Sequence, residues 1–158
     1  MGMIIALACD HGGHALKEKI KGWLTDAGHQ VRDFGCCSAD SVDYADYAFP
    51  AAETLTRGEA DRAVLICTTG IGVSICANKV KGVRCALCAD TMTAHLTREH
   101  NDTNALAIGA GVVGENLARA FSGKQVRPNF HCLEDAIPRH AHIDEHPAAA
   151  FLSRTSQP

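Results

Sequence analysis

Strand-like runs recur along this chain at residues 4–8, 30–34, 63–66, 84–88 and 105–108, and helix-compatible spacing fills residues 14–27, 47–57, 73–80, 91–100 and 115–121 between them. Each run has the length of a strand rather than of a buried helix. In the first helical segment Leu16, Ile20, Trp23 and Leu24 recur at helical spacing, and Gly28 stands where a C′ glycine ends a helix. Trp23 is accordingly expected in the core. Strand and helix alternating from end to end predict right-handed βαβ crossovers and a parallel sheet covered on both faces. The expected class is α/β: a Rossmann-like three-layer sandwich with a five-stranded parallel sheet and a C-terminal helix or arm.

After Gly123 the pattern changes to Pro128, Pro138 and Pro147 with His131, His140, His142 and His146, and only residues 133–137 read as a short helix. Residues 1–147 are read as one domain and 148–158 as a frayed tail. A length of 158 residues, 46% hydrophobic and 21% charged, is enough to bury a core without staples. The net charge of −3, with Lys and Arg scattered, provides no basic face for nucleic acid. No run reaches the roughly 20 apolar residues of a membrane span. The opening Met1-Gly2-Met3-Ile4-Ile5 lacks a positive leader and reads as a strand. Cys9, Cys67, Cys85 and Cys88 sit within apolar runs and are expected to be reduced, which points to the cytosol.

The chemistry-bearing residues gather where strands end. After residues 63–66 the chain reads Cys67-Thr68-Thr69-Gly70-Ile71-Gly72 and then turns helical. The N–H groups of Gly70, Ile71 and Gly72 are expected free at a helix N-terminus beside the thiol. A thiol placed there is favoured as thiolate. Asp10-His11-Gly12-Gly13 follows the first strand, where ligands of an open parallel sheet bind. His100-Asn101-Asp102-Thr103-Asn104 instead precedes the fifth strand, so it lies at the opposite edge and is placed to serve a neighbouring subunit. Taken singly, Asp10 reads equally well as a helix cap, His11 as a surface histidine and Cys67 as a small core residue.

Five segments together carry a family resemblance: Cys9-Asp10-His11-Gly12, residues 41–48, residues 67–79, residues 82–88 and residues 98–105, in consistent order. The chain resembles the type B ribose-5-phosphate isomerases and the galactose-6-phosphate isomerase subunits over residues 3–121. The resemblance implies a homodimer, sometimes a tetramer, with its site at the subunit interface. That site interconverts an aldose phosphate and a ketose phosphate without metal or organic cofactor. It assigns Cys67 as the base of a cis-enediolate mechanism, and Thr69 with the amides of Gly70, Ile71 and Gly72 as the anion hole, with Ser74 in the same loop. Asp10, His11 and Tyr44 match residues that hold sugar hydroxyls. His100 matches the ring-opening residue and Asn101 its hydroxyl-binding neighbour, both from the partner subunit.

Two positions depart from that pattern. Thr68 stands where the family carries glycine, and Gly111 stands where it places an arginine toward phosphate. Arg139, in Arg139-His140-Ala141-His142, is left as the phosphate-binding candidate, with His11 and Arg127 beside it. The first substrate candidate is D-ribose 5-phosphate. Its rivals are another tetrose, pentose or hexose phosphate, an unphosphorylated sugar, or a role as one subunit of a hetero-oligomeric galactose-6-phosphate isomerase. The tail histidines with Cys132 lack a metal-finger spacing, Cys85 and Cys88 alternate to opposite faces, and neither a GxGxxG nor a P-loop lysine motif follows the third strand. No metal is expected.

Overall fold

In the computed structural model, residues 2–125 are described, the side chains of 121–125 excepted. The strands are β1 (Ile4–Cys9), β2 (Gln30–Asp33), β3 (Arg62–Cys67), β4 (Cys85–Leu87) and β5 (Ala105–Gly109). The helices are α1 (His14–Asp26), α2 (Ala45–Thr56), α3 (Ile71–Asn78), α4 (Thr91–Asn101) and α5 (Glu115–Gln125). All strand pairs are parallel, in the order β2-β1-β3-β5-β4. The expected α/β sandwich with five parallel strands is therefore the observed one. The segments expected at residues 133–137 and beyond lie outside the described residues.

Alternation along the strands divides the core into two layers. Ile5, Leu7, Cys9, Val64, Ile66, Leu106 and Ile108 point to one face, where Ile20 and Leu24 of α1, Ala94 of α4 and Ala118 of α5 cover them. Ala6, Ala8, Ala63, Leu65, Cys67, Ala105 and Ala107 point to the other, beneath α2 and α3. That second layer is rich in alanine, with Ala48, Ala51 and Ala52 of α2 fully buried, and small side chains let α2 lie close to the sheet. Cys85 packs in this second layer and Cys88 in the first, so the two thiols do diverge as the alternation predicts. Trp23 packs at the border of the first layer under the Arg119 guanidinium, 5.7 Å from its ring centre, rather than deep in the core.

The register fixes the height of the sheet. Ala63 pairs with Ala105 and Cys67 with Gly109, so the turns after β3 and β5 leave the same edge side by side. Among the described residues no helix is long and apolar enough to cross a membrane.

Candidate active site

The helix that follows β1 packs on one face of the sheet, and the helix that follows β3 packs on the other. Their connections part above the adjacent strands and leave a crevice at the carboxyl edge, the usual ligand position in open parallel sheets. Asp10 enters it from β1. It is buried, and its Oδ1 accepts from Gly13 N at 3.1 Å, capping the short 3-10 turn His11–Gly13. The capping role foreseen for Asp10 is thus filled, on the 3-10 turn that starts at His11 rather than on α1 itself. His11 Nδ1 accepts from Val42 N at 3.2 Å, which orients the ring from the segment that follows β2.

That segment is itself anchored. Gly35 O accepts from Cys9 N at 2.7 Å and Cys36 N donates to Cys9 O at 2.8 Å, extending the β1 pairing. Below it, Lys17 of α1 is buried and its Nζ meets both Asp33 oxygens, at 3.0 and 2.9 Å, and Cys36 O at 3.1 Å. Burial alone would lower the Lys17 pKa. Its bonds to Glu18 and Asp33 outweigh that and push it up to about 12, so the ammonium stays charged.

The turn after β3 is built around its thiol. Cys67 is only 4% exposed, and its Sγ accepts from Gly70 N at 3.0 Å. Gly70 is required twice over. Its φ of +78° is left-handed, and a Cβ there would lie 2.8 Å from Ile108 C and 2.9 Å from Gly109 N. Ile71 N donates to Thr69 Oγ1 at 3.3 Å, which leaves the Thr69 hydroxyl proton for another acceptor. The expectation of three free amides is therefore corrected: the helix starts at Ile71 rather than Val73, and Gly70 and Ile71 spend their N–H groups within the turn. Gly72 remains in the first turn, where an N–H has no intrahelical acceptor. The Tyr44 ring lies against it, since a Cβ on Gly72 would come within 2.8 Å of Tyr44 Cζ. Ser74 Oγ donates to Ile71 O at 2.8 Å, so its proton serves the helix. One turn further along α3, burial and then the Asp43 charge raise the Cys76 thiol above its ordinary value.

Thr68 and Gly111, the two departures noted in the sequence, are neighbours: Gly111 N donates to Thr68 O at 2.9 Å. His100 and Asn101 close α4 at the opposite edge of the sheet, where Asn101 O accepts from Arg84 Nε at 2.8 Å. A groove of about 410 Å³ opens there, lined in part by Asn78, Arg84, Thr97, Asn101 and Thr103. Arg139, Arg127 and the tail histidines lie outside the described residues. Among those described, no three His, Cys, Asp or Glu side chains are grouped to hold a metal ion. The sequence reading passed over Asn78, whose side chain pairs with both Cys85 N and Cys85 O at 2.9 Å and so stands in for a sixth strand along β4.

The Cys67 thiol and the capping carboxylate of Asp10 thus stand at one carboxyl edge of the sheet, the thiol beside the N-terminus of α3. The family model described as Ribose/Galactose Isomerase matches residues 5–142. The chain belongs to this family. Ribose-5-phosphate isomerase B of Escherichia coli is 46% identical over 131 residues, covering 80% of this chain and 88% of that protein. Galactose-6-phosphate isomerase subunit LacB of Clostridium acetobutylicum is 38% identical over 130 residues, covering 80% and 75%. The solved structure of Clostridium thermocellum ribose-5-phosphate isomerase B superposes with a TM-score of 0.88 at 40% identity, over 94% of this chain and 99% of that one. With membership of the ribose/galactose isomerases comes the reaction class: the chain is an aldose–ketose isomerase.

Proposed function

We propose that this chain interconverts D-ribose 5-phosphate and D-ribulose 5-phosphate through a cis-enediolate, with Cys67 as the base. The thiolate takes the proton from C2 of the open-chain aldose. The enediolate carries the charge on O1, the O2 hydroxyl proton passes to O1 within the cis-enediolate, and return of the carbon-bound proton from the thiol to C1 gives the ketose. Thr69 O–H and the first-turn amide of Gly72 are donors for the developing oxyanion, while the Gly70 amide holds the sulfur itself. One such donor is worth about 10²- to 10³-fold in rate. Asp10, His11 and Tyr44 bind the hydroxyls, and Arg139 neutralises the phosphate. The observation that carries this reading is the placement of Cys67 Sγ at the head of α3, in the crevice shared with Asp10 and His11.

Ring opening is assigned to His100 of the partner subunit, with Asn101 of the partner subunit beside the substrate. From Cys67 to the start of β5 is four residues along the sheet, roughly 13 Å. That separation favours a histidine supplied by a second copy over the same chain's His100. The apolar exposure of Ile71, Ile75, Leu87, Met92 and Leu96, on α3, β4 and α4, supports burial against a second copy.

The deciding experiment is turnover of D-ribose 5-phosphate in D₂O by the chain, by Cys67→Ala and by Arg139→Ala. Wild-type turnover with deuterium entering the product carbon, a loss of about 10²-fold or more in Cys67→Ala, and a raised KM in Arg139→Ala are expected. Wild-type rates in Cys67→Ala would rule the thiol out as base. A galactose-6-phosphate-type substrate is the second reading, favoured by the likeness to the LacB subunit.

A further inference from the structure

Thr68 neither holds the thiol nor caps α3, yet its side chain stands where three turns converge. Its Oγ1 fills the space that a Cβ on Gly12 would need, and its Cγ2 would lie 3.3 Å from a Cβ on Gly111. Gly12 belongs to the turn after β1 and Gly111 to the turn after β5, the two strands that flank β3. Both neighbours are bare at the point of contact, so Thr68 fills that junction, with Asp10 Oδ1 the next atom, 3.4 Å from a Cβ on Gly12. The position is exposed and open to a ligand.

The layout of the crevice gives this side chain a task. Cys67 Sγ lies on the α3 side, with Gly72 and Tyr44 beyond it. A substrate with its reacting carbons at the sulfur and its oxyanion at the α3 amides extends its remaining carbons the other way, toward the turns after β1 and β5. Thr68 stands on that side, against Gly12 of the one turn and Gly111 of the other. We propose that Thr68 is a specificity-determining residue: it closes this end of the crevice and sets how many carbons fit between the reacting pair and the charged end. The inference rests on the proposed placement of the reacting carbons at Cys67. It differs from the hydroxyl-binding and phosphate-binding roles given to other residues, because it acts by shape.

Shape and polarity separate in the variants. Thr68→Gly empties the junction, Thr68→Ser removes only the methyl beside Gly111, and Thr68→Val keeps the volume without the hydroxyl. The probes are D-ribitol 5-phosphate and D-allitol 6-phosphate, which lack a carbonyl and do not react, titrated calorimetrically into each protein. One carbon's worth of misfit is commonly worth 10-fold or more. Thr68→Gly is expected to move the affinity ratio toward the six-carbon probe by about 10-fold, and Thr68→Ser to move it the same way by less. Thr68→Val should keep the wild-type ratio. An unchanged ratio in Thr68→Gly and Thr68→Ser overturns the proposal, as does a shift in Thr68→Val as large as in Thr68→Gly. Turnover of D-ribose 5-phosphate by the same preparations is read separately. Its absence, with the ratio shifted, removes the proposed reaction and leaves Thr68 as the wall of the site.

Discussion

Gly12 shows how one missing side chain and one present side chain define each other. A Cβ there would overlap Thr68 Oγ1, while its next neighbour, Asp10 Oδ1, would sit at an ordinary 3.4 Å. The obstruction to Gly12→Ala therefore comes from Thr68 and not from the backbone. Overpacking of this kind costs about 1–3 kcal/mol. Gly12→Ala should lower stability by that amount in the wild-type background and by a few tenths of a kcal/mol in Thr68→Gly, a non-additivity expected of residues in contact. Urea unfolding of the four proteins measures it, and equal losses in both backgrounds would mean the two do not touch. Gly70 differs, because beyond Leu87 Cδ1 its Cβ would also clash with the Ile108 and Gly109 backbone, which no side-chain substitution relieves.

At the scale of elements, α1 holds the site through the end of β2. Burial pushes Asp33 up, but bonds from Lys21, the Gly35 amide and Lys17 outweigh it and hold the carboxyl below its usual range. The anchor's stability is then complete above the free aspartate value of about 3.9 and is lost as pH falls through the lower folded value. Lys17 runs the opposite way: its contribution is complete below about 10.4 and is lost as pH rises through about 12. Denaturant midpoints should be level between these limits and fall at the acid end. Asp33→Asn should flatten that acid fall and cost about 3 kcal/mol at neutral pH, because it leaves the buried Lys17 ammonium with only the more exposed Glu18 as a carboxylate partner. None of this was legible in the sequence, where Lys17 reads as one more polar position on a helix and only the fold shows that it points inward. The strands were legible because their alternation is strong, as in Ile5, Leu7 and Val64, Ile66. Helix starts were less so. α2 begins at Ala45, not Tyr47, because Asp43 Oδ1 accepts from Ala45 N at 2.8 Å, and α3 begins at Ile71 because Gly70 turns left-handed just before it. The local glycines and aspartate gave turn signals that hid these first turns.

For the whole molecule, the candidate residues are split between the two ends of the strands, Cys67 at the carboxyl edge and His100 at the other. Cys67, Asp10 and His11 were placed together at one edge from the sequence alone. That His100 and Asn101 lie at the other was also legible, since they precede the strand that Cys67's neighbours end. What one chain's sequence does not encode in any local pattern is the surface that would bring the halves together. Exposed Ile71 at 52% and Ile75 at 53% lie one helical turn apart on α3, and Met92 and Leu96 repeat that spacing on α4. A two-fold pairing through this face would give each site its thiol from one copy and its histidine from the other. The consequence is a complementation that a monomeric site cannot show. Cys67→Ala and His100→Ala should each be inactive as pure proteins. Unfolded together and refolded as a mixture, they should form hybrid dimers in which one of two sites is intact, restoring up to about a quarter of wild-type activity. Sedimentation of each pure variant should show the same dimer as the wild type, so that lost activity is not lost assembly. A mixture as inactive as its components, with hybrids present by mass, would place both residues in one chain's site or remove His100 from the chemistry.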